Sequence, residues 1–160
     1  MTVNGNAGND FIQLDRSNLV VNGGEGDDTI RPDNPRSGLS GNNELNGNSG
    51  RDDLTATGAG DTLNGDSGND ILRDTFFSST VNGVEMNGGA GRDILVSSYF
   101  IGGGKRDFAA TETLTGGAGE DTFALNLQRI VDNPAPTTPL AIITDFARGK
   151  DVLVIDVSTF

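Results

Sequence analysis

The amino-acid sequence predicts an all-β fold, a right-handed parallel β-roll in which short strands coil around a thin apolar core. Three observations predict it: a nine-residue pattern recurs along the chain, glycine makes up 24 of 160 residues, and only 34% of the residues are hydrophobic. Such a composition is too polar for a thick core, so order must come from the periodicity. Repeats of this length are typical of solenoids, in which each unit packs only against its neighbours.

The pattern is clearest at residues 23–31, Gly-Gly-Glu-Gly-Asp-Asp-Thr-Ile-Arg, which match G-G-x-G-x-D-x-U-x with a bulky apolar residue at U. We call this unit a consensus frame. Five more consensus frames cover residues 5–13, 47–55, 65–73, 88–96 and 116–124. A single copy is as consistent with an ordinary Gly/Asn/Asp turn as with a metal site. Six copies in phase predict a stack of equivalent turns.

Weaker nine-residue frames lie between the consensus frames, and we call them degenerate frames. They cover residues 14–22, 38–46, 56–64, 79–87 and 107–115. Position eight is apolar in all eleven frames: Ile12, Val21, Ile30, Leu45, Leu54, Leu63, Leu72, Met86, Leu95, Leu114 and Phe123. This regularity predicts an inward-pointing ladder of side chains. Two frames form one coil, so consensus turns line one side of the roll.

We name the two sides the consensus edge and the degenerate edge, after the turns that line them. Three insertions, at residues 32–37, 74–78 and 97–106, each follow a consensus frame and precede a degenerate one. They are therefore expected at the degenerate edge. We expect one domain, with the roll at residues 1–124 and a capping segment at residues 125–160. Two apolar runs, residues 140–143 and 152–155, predict a hairpin that caps the open end.

The composition limits the partners, metal ligands and catalytic groups that the chain can offer. The net charge is −12, which disfavours nucleic acid as a partner. Without cysteine or histidine, the chain lacks the usual soft metal ligands and the usual general base. No apolar run is long enough to span a membrane. Oxygen ligands remain, and these select hard cations such as Ca²⁺. We therefore expect no catalysis in this chain.

The consensus turns are the predicted calcium sites. Glycines at positions one, two and four let the backbone turn carbonyl oxygens towards a common point, and position six adds a carboxylate. The expected carboxylates are Asp10, Asp28, Asp52, Asp70, Asp93 and Asp121. Because Ca²⁺ takes six to eight oxygens, two stacked turns must share each ion, giving up to about five ions. Asn43 and Asp61 at the degenerate edge are interpreted as turn residues.

These repeats resemble those of the RTX (repeats-in-toxin) family of secreted bacterial proteins, and residues 142–156 are similar to the segment that closes many RTX rolls. The resemblance implies ions held by the position-six aspartates and by carbonyls at positions one and three of one turn and two and four of the next. The residues that would supply these carbonyls are Gly5, Ala7, Gly23, Gly24, Glu25, Gly26, Gly47, Asn48, Ser49, Gly50, Gly65, Asp66, Ser67, Gly68, Gly88, Gly89, Ala90, Gly91, Gly117 and Gly119.

The same resemblance implies an extracellular protein of a Gram-negative type of bacterium, exported by a type I secretion system and folded by extracellular calcium. RTX rolls usually carry sites on both sides, whereas this chain has one consensus edge. RTX proteins also usually continue past the closing segment, so we expect this chain to be part of a larger protein.

Two binding roles remain open as alternatives. The aromatic pairs Phe76–Phe77 and Tyr99–Phe100 fall in insertions, where exposed rings would stack on a polysaccharide or a cell surface; packing over the roll is the other interpretation. Ice binding would need a regular Thr/Asn array at positions three and five. Those positions carry mixed charges, among them Glu25, Arg51 and Glu120, which argues against such an array.

Overall fold

The chain is built of β-strands connected by tight turns. The computed structural model describes residues 1–33, 41–56, 58–74, 83–101, 111–129 and 141–159, which form fourteen strands and no helix. In chain order the strands are β1 (Thr2–Ala7), β2 (Phe11–Leu14), β3 (Val20–Glu25), β4 (Thr29–Pro32), β5 (Glu44–Ser49), β6 (Asp53–Thr55), β7 (Thr62–Ser67), β8 (Ile71–Arg73), β9 (Glu85–Gly91), β10 (Ile94–Ile101), β11 (Glu112–Gly119), β12 (Thr122–Arg129), β13 (Ala141–Ile143) and β14 (Val152–Thr159).

The strands alternate between two parallel sheets. Sheet A contains the odd-numbered strands in chain order, and sheet B contains the even-numbered strands, so each odd–even pair is one coil. Every pairing between neighbouring strands is parallel. Seven coils therefore stack along one axis, which confirms the predicted parallel β-roll.

Each consensus turn connects a sheet-A strand to the sheet-B strand that follows it. The turn after β3 leads into β4, for example, and the turn after β7 leads into β8. All six consensus turns consequently stack along the consensus edge, as predicted. The return connections from sheet B to sheet A form the degenerate edge. Most residues of the three predicted insertions, 34–37, 75–78 and 102–106, lie outside the described residues.

The core is the predicted single ladder of apolar side chains. Ten of the eleven position-eight residues are 0% exposed, from Val21 to Phe123. Ile12 is half-buried, because it belongs to the first coil and has a neighbour on one side only. The alternating burial along strands such as β5 and β7 follows from the two-residue period of a strand. The apolar ladder lies between the two sheets, with the consensus edge on one side of it and the degenerate edge on the other.

The predicted C-terminal hairpin is wrong. β13 pairs in parallel with β11 in sheet A, and β14 pairs in parallel with β12 in sheet B. The two apolar runs thus enter different sheets and form a seventh coil. The physical reason is that Asp151 continues the position-six register, since the Val152 N–H donates to the Asp121 carbonyl at 2.8 Å. A turn in register with the stack must lead into the opposite sheet, not back along the same one.

The structure also corrects the expected place of one aromatic pair. Tyr99 and Phe100 lie in β10, where their backbones pair with Leu127 and Gln128 of β12. They were expected in an insertion, but the strand continues past residue 96 because a long partner strand extends beside it. Phe76–Phe77 lie outside the described residues.

The outer face of sheet A carries a ladder of asparagine side chains that the sequence did not lead us to expect. Its members occupy equivalent places on successive strands: Asn4, Asn22, Asn46, Asn64 and Asn87. Each amide Nδ2 donates to the Oδ1 of the preceding asparagine, over 2.7 to 2.9 Å. Thr115 and Thr144 continue the row with a hydroxyl–hydroxyl contact of 2.8 Å. This ladder ties the strands together outside the core.

Candidate metal centre

The position-six aspartates form a continuous hydrogen-bonded ladder along the consensus edge. In each pair of neighbouring turns the backbone N–H of one aspartate donates to Oδ1 of the next, over 2.7 to 2.9 Å from Asp10 to Asp121. The Asp121 N–H donates in the same way to Asp151 at 3.1 Å. Five of these carboxylates, from Asp28 to Asp121, belong to residues that are at most 1% exposed. One oxygen of each carboxylate is thus committed to the fold.

The second carboxylate oxygen has no such partner. The Oδ2 atoms of five aspartates are buried and accept no hydrogen bond: Asp10, Asp28, Asp52, Asp70 and Asp93. An unpaired buried carboxylate oxygen is costly. A regular column of them is therefore unexplained by the protein alone, and it is the arrangement expected of ligands that face a cation.

Glycine at position one leaves space for this oxygen. A Cβ atom built on Gly23 would lie 2.2 Å from Asp28 Oδ2, and one built on Gly65 would lie 2.5 Å from Asp70 Oδ2. The same contact recurs at all six consensus frames, within 2.5 Å. Any side chain at position one would push the carboxylate away, so the pattern demands glycine there for steric reasons.

Positions two and four require a left-handed backbone. Position four is glycine in every consensus frame, with φ between 104° and 154°. Position two is also left-handed throughout, but Asn6, Asn48 and Asp66 replace glycine there, with φ of 82°, 75° and 69°. Asparagine and aspartate tolerate this conformation better than other side chains. These substitutions therefore keep the turn geometry, and the three frames remain competent.

The position-three carbonyls already accept hydrogen bonds from the neighbouring turn. The Gly26 N–H donates to the Ser49 carbonyl at 2.8 Å, and the Gly68 N–H donates to the Ala90 carbonyl at 2.9 Å. Glu25 and Ser67 accept equivalent bonds. A carbonyl oxygen has two lone pairs, so these groups keep one for another ligand.

Burial and mutual repulsion raise the pKa values of the stacked carboxyls. Desolvation is the largest cause for Asp52, whose pKa rises to about 6, and for Asp70, whose pKa rises to about 7. Repulsion from neighbouring carboxylates raises these pKa values further. At Asp52 the neighbours are Asp28, Asp27 and Asp66. At Asp70 they are Asp93, Asp52 and Asp66. The pKa values of Asp93 and Asp121 are raised for the same first reason. The edge is therefore poised to bind positive charge.

The donor set fits Ca²⁺ better than a softer or smaller cation. It consists of carboxylates and main-chain carbonyls, with no nitrogen or sulfur. Within the described parts of the chain, no three acidic side chains gather into a metal-binding group. A site here would accordingly draw on the carboxylates of two neighbouring turns and take its other ligands from the backbone.

All of the sequence-predicted ligands lie at the consensus edge. The six aspartates stand in the turns, and the twenty predicted carbonyl residues lie at the C-terminal ends of sheet-A strands or in the turns that follow. Sequence reasoning missed Asp145 and Asp151. Asp145 accepts the N–H groups of Gly116 and Gly117 at 2.9 and 2.7 Å, and Asp151 Oδ2 accepts the Ala147 N–H at 2.7 Å. Successive position-six aspartates are 18 to 28 residues apart in the chain. Asp151 follows Asp121 after 30 residues, so a search for an aspartate at a similar spacing could have found it.

Position five also has a role that the sequence did not suggest. Asn9 Oδ1 accepts the Asp27 N–H at 2.9 Å, and Asp27 Oδ1 accepts the Arg51 N–H at 2.9 Å. Asn69 Oδ1 accepts the Arg92 N–H in the same way at 2.8 Å. Polar side chains at position five therefore lock successive turns together at the surface.

The degenerate edge has a short copy of the aspartate ladder. The Leu19 N–H donates to Asn43 Oδ1 at 2.9 Å, and the Asn43 N–H donates to Asp61 Oδ1 at 2.8 Å. Here, however, Asp61 Oδ2 accepts the Gly58 N–H at 3.0 Å. The backbone of the turn takes up the second oxygen of Asp61, which agrees with the interpretation of these residues as turn residues.

In the described part of the chain, no helix is long and apolar enough to cross a membrane. No curated protein and no solved structure matches the chain. A family model does match it: the RTX calcium-binding nonapeptide repeat, in four copies over residues 2–30, 37–72 and 107–127, more than half of the chain. RTX repeats bind calcium, are typical of secreted bacterial proteins and do not define an enzyme family. The stacked glycine turns and their aspartate ladder therefore belong to a calcium-binding β-roll, and the chain is a member of the RTX nonapeptide-repeat family.

Proposed function

We propose that Ca²⁺ ions bind in the gaps between successive consensus turns, up to five along the consensus edge, and that their binding drives folding. The observation that carries this proposal is the column of buried Oδ2 atoms without hydrogen-bond partners. The ligands are the six position-six aspartates together with the carbonyls of positions one to four. A bound Ca²⁺ supplies the positive charge that offsets the stacked carboxylates.

Coupling between binding and folding follows from the unfavourable state of the edge without ions. The raised pKa values of Asp52 and Asp70 show that the folded chain disfavours their charged forms. Glycine-rich turns also lose much backbone entropy when they become ordered. Since the ligands come together only in the roll, an ion binds the folded chain and adds to its stability by mass action.

This coupling suits a protein that is exported before it folds. The chain would stay unfolded in the low calcium of the cytoplasm, leave through a type I secretion system and fold in extracellular calcium. Extracellular calcium modules bind with dissociation constants of roughly 10⁻⁴ to 10⁻³ M, which is the range expected here. Family membership supports the extracellular setting; the exporter and the folding switch are our proposal.

Equilibrium dialysis against calcium tests the sites directly. Replacement of Asp52 and Asp70 by asparagine keeps Oδ1 as a hydrogen-bond acceptor and removes the charged Oδ2. We expect the double variant to bind at least one ion fewer than the wild-type chain at saturating calcium. Glu85→Gln is the matched control, because Glu85 is exposed on sheet A. An unchanged ion count in D52N/D70N would contradict the proposed ligands.

The polysaccharide- or surface-binding alternative gains no support from the described residues. Its aromatic residues were expected to project from insertions. The backbone of Tyr99 and Phe100 instead continues strand β10, and Phe76–Phe77 fall outside the described residues. We therefore propose the calcium-dependent roll alone.

A further inference from the structure

Three polar side chains are buried together inside the roll, away from the consensus edge. Asp74 is 6% exposed, Ser97 2% and Glu112 4%. Glu112 forms side-chain hydrogen bonds with both Asp74 and Ser97. The aspartate ladder does not include these residues, and the proposed ion sites do not use them.

Their place in the fold explains how they meet. Asp74 directly follows β8, and its N–H donates to the Val96 carbonyl at 2.9 Å, so it stands beside Ser97 of β10. Glu112 is the first residue of β11 in the other sheet and occupies position six of a degenerate frame. Its long side chain crosses the interior at the degenerate edge and connects sheet A to sheet B.

Equivalent positions in other coils are apolar in some frames and polar in others, with Asn43 and Asp61 at position six of two degenerate frames. Position six is Leu19 and Val84 in two other degenerate frames, where Glu112 stands here. On the sheet-B side, Ala56 and Leu125 flank Asp74 and Ser97 in register. The roll therefore accommodates an aliphatic residue at position six in two of the other four degenerate frames, so a carboxyl group is not required there by the fold.

One oxygen of the cluster lacks a partner. Asp74 and Glu112 share a hydrogen bond, which requires a proton on one of the two carboxyl groups, and burial raises the pKa of Glu112 to about 9. Glu112 Oε2 is buried without a hydrogen-bond partner. That oxygen lies at the cluster, because the same carboxyl group bonds Asp74 and Ser97. Buried carboxylates are retained in proteins when a cation or a matched donor compensates them.

We propose that Asp74, Ser97 and Glu112 hold one divalent cation, Ca²⁺ in an extracellular setting, at a second type of site at the degenerate edge. Two carboxylates match the charge of a divalent cation, and the two carboxylates with the serine hydroxyl form an all-oxygen donor set that suits a hard ion. Unlike the sites between consensus turns, this one is built from side chains of three different strands or strand ends. It does not depend on the consensus edge binding calcium.

Two double variants test the site. D74N/E112Q keeps the shapes of the side chains and removes both charges. D74A/E112L substitutes the residues that the chain itself uses at Ala56 and Leu19, so it is expected to fold like the other coils. Calcium is the probe, and bound ions are counted by equilibrium dialysis at saturating concentration, with far-UV circular dichroism to confirm the fold.

We expect both double variants to bind one ion fewer than the wild-type chain and to keep its β signal in calcium. In chelator, both should resist urea better than the wild type, since the cost of burying two carboxyl groups is removed. Glu85→Gln should leave the ion count unchanged, and D52N/D70N should reduce it independently, so that the effects of the two sites add. An unchanged count in folded D74N/E112Q or D74A/E112L would overturn the proposal and assign a shared proton to the pair instead.

Discussion

From Asp28 onward, a position-six aspartate has two separate tasks, one for each carboxylate oxygen. Oδ1 accepts the N–H of the preceding turn and is part of the fold, whereas Oδ2 is buried without a hydrogen-bond partner in five frames. This division explains why asparagine is a discriminating substitution. It keeps the first task and abolishes the second.

Asp70→Asn should have opposite effects with and without calcium. Burial raises the pKa of Asp70 to about 7, so at pH 8 the charged form opposes folding of the calcium-free roll. The variant should stabilise that state by about 1–2 kcal/mol, yet be less stable than the wild type in saturating calcium. Urea unfolding in chelator and in calcium measures both. A loss of stability of equal size in the two conditions would show that Asp70 acts only through hydrogen bonds.

Gly65→Ala should destabilise the roll for a steric reason. The new Cβ would lie 2.5 Å from both Asp70 Oδ2 and the Gly88 carbonyl oxygen, which predicts a loss of about 1–3 kcal/mol and weaker calcium binding. Gly149→Ala is the control. Its Cβ meets nothing within 4 Å, so only the left-handed backbone, φ 88°, costs about 1 kcal/mol. Equal losses in urea unfolding, with unchanged calcium affinity at Gly65→Ala, would contradict the packing described here.

At the residue scale, the sequence predicted the position-six aspartates and the glycines well, because the repeat fixes both their spacing and their chemistry. It did not predict the hydrogen bonds of Oδ1, which depend on the register between turns. Nor did it predict the buried cluster around Glu112, whose partner Asp74 is 38 residues away in the chain and follows a strand of the other sheet. Such contacts become visible only once the strands are aligned.

At the scale of elements, the seventh coil shows how a local pattern can mislead. Two apolar runs with a polar connection resemble a hairpin, and only the parallel pairing of β13 and β14 separates the two cases. The connection is a turn in register with the stack, with Asp151 as its position-six residue. Asp145 and Asp151 each have both oxygens in hydrogen bonds to backbone N–H groups. This last turn therefore needs no ion to satisfy its carboxylates.

The asparagine ladder should contribute measurably to strand association. Asn64 takes part in two side-chain hydrogen bonds, to Asn46 at 2.8 Å and from Asn87 at 2.9 Å. Asn64→Ala should cost about 1–2 kcal/mol in urea unfolding. Asn4→Ala, at the exposed end of the ladder, removes the one hydrogen bond that Asn22 donates to Asn4 at 2.7 Å and should cost about half as much. Equal costs, or none at Asn64, would mean that the ladder is a consequence of stacking and not a cause of stability.

At the scale of the whole molecule, the alternation of strong and weak frames predicted a roll with one metal-binding edge, and the stacked turns lie on one edge as expected. The number of coils was less predictable, since the seventh comes from a segment without the nonapeptide pattern. Part of the negative charge of the chain is concentrated in the carboxyl groups of the consensus edge, whose pKa values are raised.

Calcium binding should weaken on acidification. The folded-state pKa values of Asp52 and Asp70, about 6 and about 7, lie above the ordinary value of 3.8. Protonation therefore stabilises the calcium-free roll at low pH, and this contribution is lost as the pH rises through 6 to 7. Calcium must displace these protons, so the midpoint of a calcium titration should move to higher concentration between pH 8 and pH 5. D52N/D70N should show a smaller shift. A midpoint independent of pH would contradict the titration of these groups.

The central claim is that calcium and folding are coupled through the consensus edge. Far-UV circular dichroism of chelator-treated protein during a calcium titration, with magnesium in a parallel titration, tests it most directly. We predict a weak β signal in chelator, a cooperative gain with calcium and no comparable gain with magnesium. A full β signal in chelator, unchanged by calcium, would show that the apolar ladder alone holds the roll together and would contradict the coupling.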